Sequence, residues 1–298
     1  MAGNEGGNGT VAAGLPVAVA QMNSGADKAR NIADALALID RAAANGARLV
    51  ALPEVWPYLG PDAGNRESAE TIPGPITDLL AERARRHGIH IHGGSILETR
   101  PGDPGLYNTA FVIDPRGDLI ARYSKIHMFD VELDGVAQFQ ESATVTPGDE
   151  IVVTEIDGLA VGLAICYDLR FPELFRILAL RGAQTIVLPA AFTLTTGKDH
   201  WETLIRARAI ENQVYMVAPA QWGMYPPGSW SYGRSLIVDP WGTVLATATD
   251  GVGVAAATID PARIEAVRRQ IPSLANRRPE AYQWPEEATA LVGGRLAI

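Results

Sequence analysis

The sequence of 298 residues contains a single cysteine, Cys166, and three lysines, Lys28, Lys125 and Lys198. One cysteine cannot form an intramolecular disulfide or a cysteine-based zinc cluster, which excludes the class of secreted disulfide scaffolds. A reducing compartment, the cytoplasm, is therefore the expected location. The other 22 cationic side chains are arginines, which stay charged in proteins. The lysines are thus the ammonium groups whose charge state a fold can tune.

Long basic runs and long apolar runs are also absent. The formal net charge of −9 argues against a nucleic-acid surface. No stretch of about 18 apolar residues is present to span a bilayer, so a membrane protein is not expected. Residues 1–14 lack the basic and apolar regions of a secretory signal, and their five glycines predict a flexible tail over residues 1–15.

What the chain does contain is an alternation of short apolar runs with amphipathic segments, typical of layered α/β proteins. Its 47% hydrophobic and 20% charged residues indicate a globular protein. The patterns predict helices over 27–45, 75–87, 172–180, 200–212 and 261–269, and strands over 17–21, 48–52, 89–95, 108–113, 118–123, 159–165, 184–188, 214–219 and 253–259.

Two hairpin turns of the same design suggest that the chain has two similar halves. Asp114-Pro-Arg-Gly117 and Asp239-Pro-Trp-Gly242 each combine a proline that presets φ with a glycine that accepts positive φ. We therefore predict one domain over 16–270 with pseudo-symmetric halves and mixed sheets. Residues 271–298 show no clear periodicity and are predicted to form an extended tail that packs on a partner subunit.

Cys166 follows the apolar strand predicted over 159–165 and precedes a helix opened by Pro172. Such a strand-turn-helix position exposes a side chain at a sheet edge and directs helix dipoles at it, which favours a thiolate. The alternative interpretation of a lone cysteine is a small buried hydrophobe. The polar turn Tyr167-Asp168 favours the reactive thiol.

Two further polar side chains follow core strands. Glu54 ends the strand over 48–52, and Lys125 ends the strand over 118–123. Taken singly, Glu54 is equally well a helix cap, and a lysine such as Lys125 at a strand end is most often a solvated surface residue. Together with Cys166 they form a complementary set, because a carboxylate can take the thiol proton while an ammonium stabilises a tetrahedral intermediate.

Histidine offers weaker alternatives. The local sequences of papain-like and caspase-like enzymes are absent around Cys166. His90 and His92 share one face of a strand, as two metal ligands would, but no carboxylate-rich segment accompanies them. No metal site is predicted.

Three motifs in order, Leu-Pro-Glu54, Tyr-Ser-Lys125-Ile-His and Ile-Cys166-Tyr-Asp-Leu-Arg-Phe-Pro-Glu-Leu, resemble those of the nitrilase superfamily of carbon-nitrogen hydrolases. The resemblance extends over residues 16–282. It implies an α/β fold of four layers, an αββα sandwich with two mixed sheets, and homodimers or higher homo-oligomers in which sandwiches stack. It also implies an enzyme without a metal or organic cofactor.

By the same resemblance, Glu54 is expected to be the general base, Lys125 the cation that stabilises the oxyanion, and Cys166 the nucleophile. The backbone N–H of Tyr167 would complete the oxyanion hole. Glu141 matches a second glutamate that orients the lysine and the substrate. From the residues alone, Glu141 would be a loop acid on the surface.

The residues after the nucleophile indicate the branch. Nitrilases typically have Cys-Trp-Glu there, whereas Cys166-Tyr-Asp is similar to the omega-amidases and deaminated-glutathione amidases. The resemblance therefore implies hydrolysis of a small linear amide to an acid and ammonia through a thioester. Nitrilase or N-carbamoyl amidase activity is the alternative. A non-catalytic binding protein and a redox-sensing thiol are alternatives from other classes.

Candidate substrate contacts follow from proximity to these motifs. Arg170 is a candidate partner for a substrate carboxylate, or equally the partner of Asp168 or Glu173 in a structural ion pair. Four aromatic side chains are candidate pocket residues or, equally, core residues: Tyr58, Phe129, Phe192 and Trp201. The irregular segments 58–66, 131–140 and 222–231 are expected to set specificity.

Overall fold

A computed structural model of the chain describes residues 14–133, 137–282, 291–292 and 295–296. The helices are α1 (Lys28–Ala44), α2 (Asn65–Ser68), α3 (Pro75–His87), α4 (Pro172–Leu180), α5 (Leu194–Asn212) and α6 (Pro261–Gln270). The strands are β1 (Leu15–Met22), β2 (Leu49–Ala51), β3 (His90–Arg100), β4 (Asp103–Ile113), β5 (Leu119–Ser124), β6 (Asp130–Leu133), β7 (Ala137–Gln140), β8 (Val153–Ile156), β9 (Leu159–Leu163), β10 (Thr185–Val187), β11 (Tyr215–Ala218), β12 (Ala220–Tyr225), β13 (Ser229–Tyr232), β14 (Leu236–Val238), β15 (Val244–Thr247), β16 (Gly253–Ile259), β17 (Leu291–Val292) and β18 (Arg295–Leu296).

Two mixed sheets in the described part of the chain have the same internal plan. The first runs β16-β1-β2-β3-β4-β5, and the hairpin β12–β13 joins it where β12 pairs with the end of β1. The second runs β8-β9-β10-β11-β14-β15. In both, the middle three strands are parallel and the flanking pairs are antiparallel. The predicted pseudo-symmetry of the two halves is confirmed.

The two matching hairpin turns show how one sequence pattern produces the same local structure twice. In the β4–β5 turn, the Asp114 carboxylate accepts hydrogen bonds from the backbone N–H groups of Arg116 and Asp118, both at 2.9 Å. In the β14–β15 turn, the Asp239 carboxylate accepts from the backbone N–H groups two and four residues later, at 2.9 and 2.8 Å. Aspartate at this position closes each turn on its own backbone.

Alternation along β1 places the two sheets face to face with helices outside. Val17 and Val19 are buried in one cluster with Val161 of β9 and the inner faces of α4 and α5. Ala18 and Ala20 point the other way, into a second cluster with α1 and α3. Because successive strand side chains point to opposite faces, this alternation builds the layers α-β-β-α. The four-layer αββα sandwich is therefore confirmed.

The helices begin and end close to the predicted residues, with one exception. Helices α3 and α4 begin at the prolines predicted to open them, and α3 ends at Gly88, whose φ of 63° suits glycine. Helix α5 begins at Leu194, six residues before the predicted start, because the Thr193 side chain caps it by accepting from the Thr196 N–H. The hairpins β6–β7 and β12–β13 were not predicted.

No helix in the described ranges is long and apolar enough to cross a membrane. The predicted flexible tail over residues 1–15 lies, except for its last two residues, outside the described residues. Of the predicted C-terminal tail, residues 271–282, 291–292 and 295–296 are described. They contain a 3-10 turn over Pro279–Ala281 and the antiparallel pair β17–β18. The packing of this tail on a partner subunit stays a prediction.

Candidate active site

Lys125, directly after β5, is the centre of a buried charge cluster. Its side chain is 2% exposed, and its Nζ donates to Oε1 of Glu54 at 3.0 Å and to Oε1 and Oε2 of Glu141 at 3.0 and 2.8 Å. An ammonium has three N–H donors, so the two carboxylates satisfy all of them. Burial by itself would lower the pKa of Lys125, but Glu141 and Glu54 outweigh burial and raise it well above its usual value. The lysine is held as a cation.

Glu54 lies three residues after the end of β2 and is 4% exposed. Its Oε1 accepts from Lys125 and from Nδ2 of Asn108 at 2.9 Å, and its Oε2 accepts from the backbone N–H of Ala191 at 2.7 Å. These bonds fix the carboxylate in the cavity that Cys166 also lines, where its charge helps to raise the pKa of the thiol. Glu54 is positioned to accept the thiol proton.

Glu141 begins a short 3-10 turn after β7 and lines the same cavity. Besides the two bonds from Lys125, its Oε2 accepts from the backbone N–H of Phe129 at 2.7 Å. The side chain is 17% exposed, against 5% for Glu54. Glu141 therefore reaches the lysine from the open side of the cavity, which the sequence by itself gave no reason to expect.

Cys166 sits at the junction between β9 and the 3-10 turn Cys166–Arg170. Its φ of 44° is in the left-handed region, which costs a residue with a Cβ about 1–2 kcal/mol. Its backbone N–H donates to Pro189 O at 2.9 Å. A residue held in this conformation at a strand end presents its side chain out of the sheet, as nucleophile turns do.

The strand-end position of Cys166 favours a thiolate, but the burial of the side chain opposes one. Burial and the neighbouring charge of Glu54 raise the pKa of its thiol well above the usual value, and the lowering effect of Lys125 is smaller. The sequence position suggested helix dipoles but gave no measure of burial or of the nearby carboxylate. The thiol is neutral until a base takes its proton.

A cavity of about 500 Å³ opens over these four side chains. All three segments predicted to set specificity contribute to its wall. They supply residues 58–62 and 65 beside α2, residues 138–140 of β7, and residues 225–227 and 229 of the β12–β13 hairpin. The segments lie far apart in the sequence, so the cavity mouth is assembled from both halves of the fold.

The backbone N–H of Tyr167, the predicted oxyanion donor, belongs to a residue of the cavity wall. Tyr167 lines the cavity next to Cys166, and within the described residues its backbone N–H makes no hydrogen bond. Its neighbours Cys166 and Asp168 both donate theirs, to Pro189 O and Ile165 O. A free N–H beside the nucleophile is the group that a developing oxyanion needs.

Of the predicted substrate contacts, Tyr58, Phe129 and Phe192 line the cavity, and two residues do not. Trp201 is fully buried, packs on Phe192 at a centroid distance of 5.1 Å and donates its indole N–H to Arg234 O. It is a core residue, because it lies on the buried face of α5 with Ile205 and Ala209.

Arg170 also lies outside the cavity wall. Its guanidinium is 5.2 Å from the Phe192 ring centroid and 5.8 Å from that of Tyr167, and it contacts His200 Nδ1 at 3.3 Å. Among the described residues Arg170 makes no ion pair with Asp168 or Glu173, and the Asp168 carboxylate accepts from Tyr123 and His127 instead. The Arg170 guanidinium therefore lies near the rings of Phe192 and Tyr167, two residues that line the cavity. Binding of a substrate carboxylate by Arg170 stays a prediction.

Two groups that hold Glu54 could not be predicted from the sequence. Asn108 lies inside β4 and looked like an ordinary strand residue, while Ala191 acts through its backbone. The only signal for Asn108 is a buried amide in an otherwise apolar strand, which needs a partner.

Metal ligation finds no support in the described ranges, where no group of three or more His, Cys, Asp or Glu side chains could hold an ion. His90 lies 3.8 Å from Asp157, and the ring of fully buried His92 accepts from the Gly94 N–H. The two imidazoles thus have separate structural partners.

Comparison with known proteins places this site in a family. The family model described as carbon-nitrogen hydrolase matches residues 16–269. This chain belongs to the carbon-nitrogen hydrolases. Among curated relatives, the deaminated glutathione amidase of Synechocystis is 43% identical over 87% of this chain and 97% of its own length. The human omega-amidase NIT2 is 42% identical over 89% of this chain and 96% of its own.

Solved structures of the nitrilase superfamily share the fold of this carbon-nitrogen hydrolase. The C. elegans NitFhit protein superposes with a TM-score of 0.86 at 37% identity, over 92% of this chain and 67% of that one. Saccharomyces cerevisiae Nit3 does so with a TM-score of 0.81 at 31% identity, over 90% and 97%. The chain is therefore an enzyme of this superfamily.

Proposed function

We propose that this hydrolase is an amidase that converts small linear amides to carboxylic acids and ammonia through a thioester on Cys166. The observation that carries the proposal is the convergence of Glu54, Lys125 and Cys166 on one cavity, with a free backbone N–H beside the thiol. Base, cation, nucleophile and oxyanion donor are the parts that acyl transfer requires.

In the first half of the proposed reaction, Cys166 Sγ forms a bond to the amide carbonyl carbon while its proton passes to Glu54. The carbonyl oxygen becomes an oxyanion held by Lys125 and the Tyr167 N–H. When the intermediate collapses, Glu54 gives the proton to the amide nitrogen, the C–N bond breaks, and ammonia leaves a thioester behind. Because burial raises the pKa of the thiol, a neighbouring base is required to take its proton.

In the second half, a water molecule attacks the thioester carbonyl while Glu54 takes its proton. The C–S bond breaks, the acid is released, and the proton returns to Cys166 sulfur. Glu141 holds Lys125 from the cavity side, at 2.8 and 3.0 Å, and so keeps the cation aimed at the oxyanion through both halves. All steps use protein side chains and water.

The names of the similar proteins, deaminated glutathione amidase and omega-amidase NIT2, support amides as the substrate class for this chain. The cavity supports small substrates, since about 500 Å³ lies at the lower end of the range of small-molecule sites. Its aromatic walls, including Phe129 and Tyr225, suit the chain of a linear amide.

The test is ammonia release from four substrates: α-ketoglutaramate, deaminated glutathione, a simple nitrile and an N-carbamoyl amino acid. We expect turnover of the amides, no turnover by Cys166→Ala, and a mass increase of the acyl group on the wild-type chain during turnover. Faster turnover of the nitrile or the carbamoyl compound would replace the amidase assignment. Unchanged turnover by Cys166→Ala would refute the mechanism.

The alternatives from other classes have distinct outcomes in the same experiment. A redox-sensing thiol predicts reversible oxidation of Cys166 and no acyl adduct, and a binding protein predicts neither. The matched variant Glu54→Gln keeps the volume of the side chain but cannot take a proton, so it should bind the amide without forming the adduct. An adduct at the wild-type rate in Glu54→Gln would contradict its role as the base.

We also propose that the chain self-associates, at least as a homodimer, in the cytoplasm. Three large apolar side chains are 38–50% exposed on the paired helices α4 and α5, namely Ile177, Leu180 and Ile210. Such a patch is typical of a contact between subunits. Light scattering decides the matter, since a particle of 31.8 kDa, the mass of one chain, would contradict the proposal.

A further inference from the structure

Asp168, two residues after the nucleophile, is fully buried and accepts four hydrogen bonds. Its Oδ2 accepts from the Tyr123 hydroxyl at 2.7 Å and from the Ile165 N–H at 2.8 Å. Its Oδ1 accepts from His127 Nδ1 at 2.7 Å and from the His127 backbone N–H at 3.2 Å. Both oxygens are therefore satisfied, and none of these donors belongs to the cluster around Lys125.

The donors come from two different parts of the fold. Tyr123 and His127 flank Lys125, two residues away on either side, at the end of β5 in the first sheet. Ile165 directly precedes Cys166 after β9 in the second sheet. A single carboxylate thus joins the backbone that carries the cation to the backbone that carries the nucleophile.

The same carboxylate stabilises the strained turn of the nucleophile. The bond from the Ile165 N–H closes the turn around Cys166, whose φ of 44° is unfavourable for a residue with a Cβ. On the other side, the His127 ring stacks on Phe171 at a centroid distance of 3.6 Å and an interplanar angle of 8°. This stacking fixes the direction in which Nδ1 donates.

Other buried aspartates provide a contrast. Asp114, 7% exposed, also accepts several hydrogen bonds, but its partners Arg116 and Asp118 belong to its own hairpin. Loss of that carboxylate would loosen one turn. Loss of the Asp168 carboxylate would release the link between two segments that carry the reacting groups.

We propose that Asp168 is a positioning residue that fixes the nucleophile turn against the Lys125 segment, through Ile165 on one side and Tyr123 and His127 on the other. The inference rests on the proposed function, since it assigns Lys125 and Cys166 to one transition state. A displacement of about 1 Å between reacting groups lowers a rate about 100-fold. Asp168 sets that distance without touching the substrate.

The test compares Asp168→Asn with Asp114→Asn, two substitutions of a buried, hydrogen-bonded carboxylate by its amide. The amide nitrogen of asparagine cannot accept a hydrogen bond. In Asp168→Asn, the NH2 group therefore replaces a carboxylate oxygen that accepted hydrogen bonds from two N–H or O–H donors. We expect kcat for amide hydrolysis to fall about 100-fold with KM within about threefold. Asp114→Asn should keep kcat within about twofold per folded molecule, while losing stability to a similar degree, about 1–3 kcal/mol.

A second readout does not depend on amide hydrolysis. Iodoacetamide alkylates Cys166 when sulfur displaces iodide from carbon and the thiol proton passes to Glu54, with no oxyanion formed. We expect Asp168→Asn to slow alkylation about 10-fold, because only the nucleophile turn matters there, and to slow amide hydrolysis more, because the distance to Lys125 matters as well. Tyr123→Phe, which removes one of four bonds, should lower kcat about threefold to tenfold.

The measurements of hydrolysis and alkylation distinguish a failure of the proposed function from a failure of the inference about Asp168. If the wild type hydrolyses no amide, the proposed function fails, and alkylation of the variants still tests Asp168. If Asp168→Asn and Tyr123→Phe both leave kcat and alkylation within twofold, or if Asp114→Asn loses as much kcat, Asp168 is structural and the inference is overturned. If Asp168→Asn does not fold, Tyr123→Phe decides by the same criteria.

Discussion

Replacement of Lys125 by methionine tests the buried charge cluster most directly, because it removes the one cation and leaves two carboxylates. Methionine is unbranched like lysine, so the packing around the side chain changes little. Lys125 makes all three of its hydrogen bonds to Glu54 and Glu141, at 2.8–3.0 Å. The variant therefore isolates the effect of charge.

The magnitude follows from the geometry. Oxygens of Glu54 and Glu141 both lie within 3.0 Å of Lys125 Nζ, so the facing oxygens are at most about 6 Å apart. At an effective dielectric constant of about 20, two unit charges at this distance repel by about 3 kcal/mol. That agrees with the cost of about 3–5 kcal/mol for breaking a buried ion pair. For a domain of this size, Tm should fall by about 5–8 °C.

The loss of activity in Lys125→Met should have a cause separate from the loss of stability. Loss of one oxyanion donor costs about 100-fold to 1,000-fold in kcat. The double variant Lys125→Met with Glu141→Gln removes one of the two repelling charges. It should recover most of the lost Tm, because the uncompensated charge is gone, while kcat stays as low as in the single variant.

Thermal unfolding by circular dichroism and ammonia release below the unfolding temperature measure the two effects. Lys28→Met is the matched control, since Lys28 pairs with Glu70 at 2.7 Å at a more exposed site. Its loss should cost less than about 1 kcal/mol and leave kcat unchanged. A Lys125→Met variant as stable as the wild type, or a double variant no more stable than the single one, would refute the electrostatic reasoning.

Two further predictions concern the frame of the site. Burial lowers the pKa of His92 to about 3, so the unfolded chain binds a proton that the folded chain does not. In urea titrations, the free energy of unfolding should fall by about 2 kcal/mol from pH 6.5 to 5 in the wild type and by less in His92→Asn. An equal fall in both proteins would show that His92 does not cause this pH dependence. Gly94→Ala adds a Cβ against the Pro53 carbonyl, next to Glu54, at a φ of 61°. Gly94→Ala should lower both Tm and kcat. The control Gly102→Ala adds a Cβ in open space at a φ of 78°, so it should reduce the free energy of unfolding by about 1 kcal/mol, and with it Tm, without changing kcat. An unchanged kcat in Gly94→Ala would contradict the prediction.

The parts of the fold that the sequence predicts well are those set by local chemistry. Helices α3 and α4 match their predicted bounds because a proline at the first turn opens each one, and Gly88 stops α3. The strand ends at Glu54, Lys125 and Cys166 follow from polar residues after apolar runs. Glu54 and Lys125 follow strands of the first sheet and Cys166 follows a strand of the second, so their convergence depends on how the two sheets pack. The complementary chemistry of the three side chains is what predicted it.

The parts that local patterns miss depend on the packing of distant segments. Asn108 acts through a contact with Glu54, 54 residues away in the sequence, and Ala191 through one 137 residues away. The rise in the pKa of the Cys166 thiol has the same origin, because its burial and the charge of Glu54 belong to the assembled site. Glu141 was expected only through the family resemblance, since nothing in its own segment distinguishes it from a surface acid.

The saturation of Lys125 links the proposed proton transfer to oxyanion binding. With all three N–H groups donated to carboxylates, the lysine in the resting site has no free donor for a substrate oxygen. When Glu54 takes the thiol proton, it becomes neutral, and its hydrogen bond from Lys125 weakens because a neutral acceptor binds a cation less strongly. That N–H is released as the oxyanion forms beside it, so the cation stabilises the transition state more than the bound amide, which is the condition for catalysis.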